Sequence, residues 1–130
     1  MNNSLAVWTG RVLTGLLAAF LAFDAGIKLL HRPEVAETLT TLGWPADAGF
    51  TIGVLEAMIL ALYLIPRTAL LGAVLLTGVL GGAIATHLRV GSPLASHTLF
   101  GVYMGVIAWA GLWLRDPRLQ RLLPWRREPG

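Results

Sequence analysis

Asp24 and Lys28 stand four residues apart, and Glu56, His87, Arg89 and His97 are further ionisable residues set within or at the ends of long apolar runs. Each such group costs roughly 2.5 to 3.5 kcal/mol at the centre of a lipid-crossing helix. Groups that persist there face neighbouring helices and often mark a functional site. Two carboxylates, a lysine and two histidines can hold a polar headgroup, relay protons or coordinate a metal, and each task makes its own demand on geometry. In FDAGIKLLH the set Asp24, Lys28 and His31 follows at i, i+4 and i+7, which puts all three on one helix face and lets Asp24 and Lys28 pair, while His31 itself reads as a loop residue. No His-x-x-x-His or Glu-x-x-His spacing is present, so no metal site is assigned. Nucleophile-elbow, phosphate-loop and zinc-hydrolase motifs are absent too, so no catalytic residue is assigned and the chain is not read as an enzyme on its own. The competing structural reading makes Asp24 and Lys28 an internal ion pair, joins Glu56 to Arg89 or His87, and gives the network no task beyond fixing helix register.

The elements that must position these groups follow from composition. Hydrophobic residues make up 55% of the chain and charged ones 13%, with a mean hydropathy of +0.68. Soluble domains carry roughly 25% charged residues, so lipid has to cover much of this surface. Four apolar segments, near Leu5 to Leu30, Ala48 to Ile65, Ala69 to Thr86 and Leu94 to Leu114, are each long enough to be read as a helix crossing the bilayer. The expected fold is therefore an all-α integral membrane protein: one domain over residues 1–130, built as a four-transmembrane-helix bundle. Ser92 and Pro93 read as N-cap and first residue of the fourth helix, and no cleavable signal peptide is expected ahead of the first. Between the first two spans, PEVAETLTTLG reads as a short outer interfacial helix beginning at Pro33 and ending at Gly43. The basic C-terminal tail PRLQRLLPWRR reads as its inner counterpart, with Leu119, Leu122, Leu123 and Trp125 meeting the interface.

Charge sets the orientation. Seven of the ten basic residues fall on the side of the termini and three on the other, so both termini are expected in the cytoplasm. Five of the ten lie after Leu114 and no basic stripe interleaves with aromatics, which argues against nucleic acid as a partner. With no cysteine, the chain makes no dithiol relay of its own, and a redox role needs a cofactor, a substrate or a membrane or soluble redox partner. In this topology Asp24 and Glu56 sit at similar depth, roughly 10 and 13 Å below the outer ends of their helices. His87 and Arg89 fall at the outer end of the third helix, and His97 falls one turn into the fourth, sharing an inward face with Gly101, Met104 and Ala108. Asp24, Lys28, Glu56 and His97 are thus expected to line one outer cavity with His87 and Arg89 at its rim, while the inner half is comparatively bare. Glycines spaced by four, at Gly49 and Gly53, Gly78 and Gly82, and Gly101 and Gly105, clear grooves for packing within the bundle or, less simply, for a second copy of the chain.

GIKLLHRPE at Gly26 to Glu34, GVLE ending at Glu56, YLIPRTALLGAVLLTG from Tyr63 to Gly78, and ATHLRVGSP from Ala85 to Pro93 resemble the DoxX-like family of small four-helix membrane proteins. The resemblance implies a multi-pass protein of the bacterial inner membrane and, through the family's association with thiosulfate and quinone oxidation, a quinone as candidate cofactor. It supplies no catalytic residues to carry over. Three functions therefore stay open: a membrane component of a quinone-linked or redox-stress system, a binding or transport protein for a small lipophilic or proton-coupled substrate, and a ligand-free scaffold subunit.

Overall fold

The computed structural model describes residues 3–127, so the extreme ends of the expected 1–130 domain lie outside the described residues. Apolar, helix-favouring sequence gives α1 (Asn3–Leu29), α3 (Ala48–Leu64), α4 (Ala69–Val90) and α5 (Phe100–Arg115). Short α2 (Pro33–Thr41) and α6 (Pro117–Gln120) each begin at the proline that their sequence places at the first helical position. No strand occurs among the described residues.

The four long helices close a ring in which α1 packs on α3 and α5, and α4 packs on the same two. Neighbours run antiparallel. The end of α1 meets the start of α3 where Gly53 approaches Lys28, and the start of α1 meets the end of α5 where Gly10 approaches Gly111. One end of the bundle therefore gathers the end of α1, the start of α3, the end of α4 and the start of α5. The core runs along the centre through Leu17, Leu21, Ile59, Tyr63, Ala73, Leu76, Ala108 and Leu112. Outward faces carry large apolar residues such as Trp8, Leu16, Phe23, Met58, Leu71 and Val106. Exposed apolar surface spread over every long helix suits lipid and not water.

Among the described residues three apolar segments are long enough to cross a membrane: Ser4–Leu29, Ala69–Val90 and Leu94–Arg115. The fourth, α3, has 17 residues. At 1.5 Å per residue it is about 26 Å long, short of the roughly 30 Å of hydrocarbon in a typical bilayer. Its sequence is apolar apart from Thr51, Glu56 and Tyr63, and its length is limited by Asp47 and Pro66 on either side.

Lipid is as apolar as leucine, so close packing rather than hydrophobic exclusion holds such helices together. Gly53 brings α3 against α1, since a Cβ there would sit 2.9 Å from Lys28 Cβ and 3.2 Å from the Ala25 carbonyl oxygen. Gly49 admits Val35 of α2, and Gly101 admits Ile84 of α4. The expected role of Gly78 and Gly82 in bundle packing is corrected: both are exposed, and a Cβ on either would meet nothing within 4 Å. The close approach of α4 uses Gly72, whose Cβ would lie 2.6 Å from Tyr63 Cα.

The entry to α5 also departs from expectation. Ser92 caps no helix; its hydroxyl sits 2.9 Å from His87 Nδ1. Pro93 is followed by a π turn over Leu94–Thr98, in which the Thr98 N–H donates to the Pro93 carbonyl (3.1 Å) and the Leu99 N–H to the Leu94 carbonyl (2.9 Å). This wider turn holds one more residue than an α turn. The inward position expected for His97 is consequently taken by Thr98, which is buried, and His97 is exposed.

At the end of the bundle holding the start of α1, the comparatively bare half is better furnished than its sequence indicates. Arg115 lies beneath the Tyr63 ring at 6.0 Å from its centre, and the Tyr63 hydroxyl donates to the Ala108 carbonyl at 2.5 Å. The tail is helical only over Pro117–Gln120 and sends Leu119 into the core, while Leu122 and Trp125 stay exposed.

Candidate functional site

Helix α1 sets Asp24 and Lys28 one turn apart on the face toward α3, where Ala25 and Lys28 are packed. Gly53 lets α3 come close enough for Glu56, one turn further on, to reach the same lysine. Lys28 Nζ donates to Glu56 Oε1 at 2.5 Å and forms a short ion pair with Asp24 Oδ2. The side chains are 17% exposed at Lys28, 6% at Glu56 and 26% at Asp24, which places Glu56 deepest and makes Asp24 the open edge of the group. Glu56 Oε2 is buried and has no hydrogen-bond partner among the described residues.

One ammonium between two carboxylates leaves an excess negative charge in a poorly solvated place. A proton, a cation or a ligand hydroxyl that donates to Glu56 Oε2 would relieve it. Lys28 remains a donor for a ligand oxygen. The group can thus bind, orient and exchange protons; it contains no nucleophile paired with a base. Among the described residues no group of three or more His, Cys, Asp or Glu is placed to hold a metal ion.

The six residues singled out by sequence gather at one end of the bundle but do not meet in one place. Asp24, Lys28 and Glu56 touch directly. His87 and His97 face each other with ring centres 5.8 Å apart, and no hydrogen bond or ion pair among the described residues links them to the Lys28 group. Arg89 lines a separate cleft of about 250 Å³ with Leu42, Gly43, Trp44, Ala85 and Thr86. His31 lies beyond the end of α1 at φ 56° and stacks on Phe50, so it leaves the face that its spacing shares with Asp24 and Lys28. A second cleft of about 340 Å³ opens between α4 and α5 over Leu80, Ile84, Gly101 and Trp109. Gly101 and Gly105, whose spacing marks a groove, line it; the part of Trp109 is not legible from spacing, because its Nε1–H donates to Thr77 Oγ1 at 2.7 Å across helices.

Long apolar helices packed in a ring, with a partly buried ionic group between α1 and α3, define a multi-pass membrane protein. Residues 12–111 match the sequence profile of the DoxX-like family, and the chain belongs to that family. No curated protein and no solved structure gives a significant match.

Proposed function

We propose that the chain crosses the bacterial inner membrane four times, with α3 as a short fourth span and both termini cytoplasmic. It serves as the membrane component of a quinone-linked or redox-stress system. The Asp24–Lys28–Glu56 group, in the outer half, receives the polar headgroup of a lipophilic ligand while a separate partner carries the electron chemistry. The observation that carries this reading is the unpartnered Glu56 Oε2 beside the Lys28 ammonium. A quinone carbonyl accepts from Lys28, and the hydroxyl of a reduced ring donates to Glu56. The ring of four antiparallel helices supports the four-pass topology, since α3 sits between α1 and α4 and turns Phe50, Val54, Leu55 and Met58 outward.

Mass spectrometry of protein extracted in mild detergent tests the proposal. A bound quinone is expected in the wild type and lost in Glu56→Gln, which keeps side-chain volume and removes the charge. Ligand-free wild-type protein that is correctly inserted would leave only the scaffold role. The excess negative charge at Lys28 favours a second reading, proton-coupled carriage of a small lipophilic substrate, with Glu56 as the coupling carboxylate. Substrate-driven proton flux in liposomes, abolished by the same substitution, would select it.

A further inference from the structure

The wide turn ahead of α5 does more than rotate His97 outward. It sets the ring of His97 against that of His87, the last histidine of α4, with the ring planes at 66°. Each imidazole is already steered by a serine. Ser92 Oγ lies 2.9 Å from His87 Nδ1, and Ser96 Oγ lies 2.7 Å from His97 Nδ1. Neither Nε2 has a hydrogen-bond partner among the described residues. A hydroxyl that accepts from Nδ1–H fixes the tautomer with its lone pair on Nε2, which is the arrangement of metal-ligating histidines.

We propose that His87 and His97 bind one late transition-metal dication of the zinc type through their Nε2 atoms, with water completing the coordination. Zinc lies about 2.0 to 2.1 Å from an imidazole nitrogen. Two rings sharing one ion therefore have centres roughly 5 to 6 Å apart, and the observed separation is 5.8 Å. Imidazole without thiolate suits zinc, copper and nickel over harder ions. His97 is exposed, so water and ion reach the pair. The nearest basic residue in sequence does not oppose the charge, because Arg89 is turned toward the α2–α3 connection. A Cβ on Gly43 would lie 2.8 Å from its Nη2. Spacing hides this site: the histidines are ten residues apart on different elements, and only the turn through Gly91, at φ 73°, with the π turn that follows, brings them together.

The test is equilibrium dialysis of the full chain, purified in detergent with a tag free of histidine, against Zn²⁺ alone. One ion per chain is expected for the wild type. His97→Ala, at an exposed position, should weaken binding at least about 10-fold, and Ser92→Ala, which removes a hydroxyl orienting His87, should weaken it about 10-fold. Glu56→Gln should leave zinc affinity unchanged, which separates this site from the Lys28 group. Unchanged zinc affinity in His97→Ala, or loss in Glu56→Gln without loss in His97→Ala, would overturn the assignment. So would a wild type that binds no more zinc than His87→Ala/His97→Ala.

Discussion

Removing the shared lysine should damage this protein more than removing either carboxylate. In Lys28→Met, Asp24 and Glu56 keep their positions and lose the only ammonium that both touch. Two magnitudes compete. An ordinary interhelical hydrogen bond in a membrane protein contributes about 0.6 kcal/mol, whereas breaking a buried ion pair from one side costs about 3 to 5 kcal/mol. The second should govern, because Glu56 is 6% exposed and its other oxygen has no partner to take over. Asp24, at 26% exposure, recovers part of its solvation, so the expected loss is about 3 kcal/mol, at the lower end. Reversible unfolding in dodecyl sulfate, followed by tryptophan fluorescence, measures it. In a Glu56→Gln background the same lysine substitution should cost much less, and the triple variant Asp24→Asn/Lys28→Met/Glu56→Gln should regain most of the stability. A loss below about 1 kcal/mol, the scale of one hydrogen bond, would refute the reasoning. Equal losses in the two backgrounds would refute it as well.

Gly53→Ala should lower stability by about 1 to 3 kcal/mol in the same assay, since its Cβ collides with Lys28 Cβ and approaches the Ala25 carbonyl. Gly78→Ala, facing open space, should be neutral or stabilising by up to about 1 kcal/mol. Tyr63→Phe deletes the hydroxyl bonded to the Ala108 carbonyl and should cost about 1 kcal/mol, with no change in ligand retained on extraction. Single cysteines at Thr38 and Ser92 should react with an impermeant reagent from outside the cell, and those at Thr68 and Arg126 should not. Outside labelling at Arg126 would reverse the proposed orientation.

Much of this architecture is legible in the residues. Long apolar runs separated by polar turns mark the helices, because backbone groups in lipid must be bonded within their own segment. The Asp24–Lys28 pair follows from helical spacing. The meeting with Glu56 follows from matched depth in antiparallel neighbours, although its other sequence-based partners, Arg89 and His87, lie elsewhere. Azimuth is where sequence reading runs out. Whether Gly78 or Gly72 faces a neighbour, or His97 or Thr98 points inward, depends on rotation about the helix axis. One wide turn changes that rotation without any proline or glycine inside it. The folding of Arg115 beneath Tyr63 was hidden for a related reason, since an arginine near a helix end reads as an interfacial anchor until its neighbours are known.

The shortness of α3 bears on how water reaches Glu56. In the four-pass arrangement a helix about 4 Å shorter than the surrounding hydrocarbon is accommodated by local thinning of the bilayer or by flanking residues that reach for the interface. Thinning at the Asp47 end would draw the headgroup boundary inward, toward a carboxylate nine residues along the chain. Lipids beside α3 would then set how hydrated that carboxylate is. Membrane thickness would thereby control how readily the proposed site exchanges protons: reconstitution in lipids of shorter chain should ease proton access to Glu56, and longer chains should seal it.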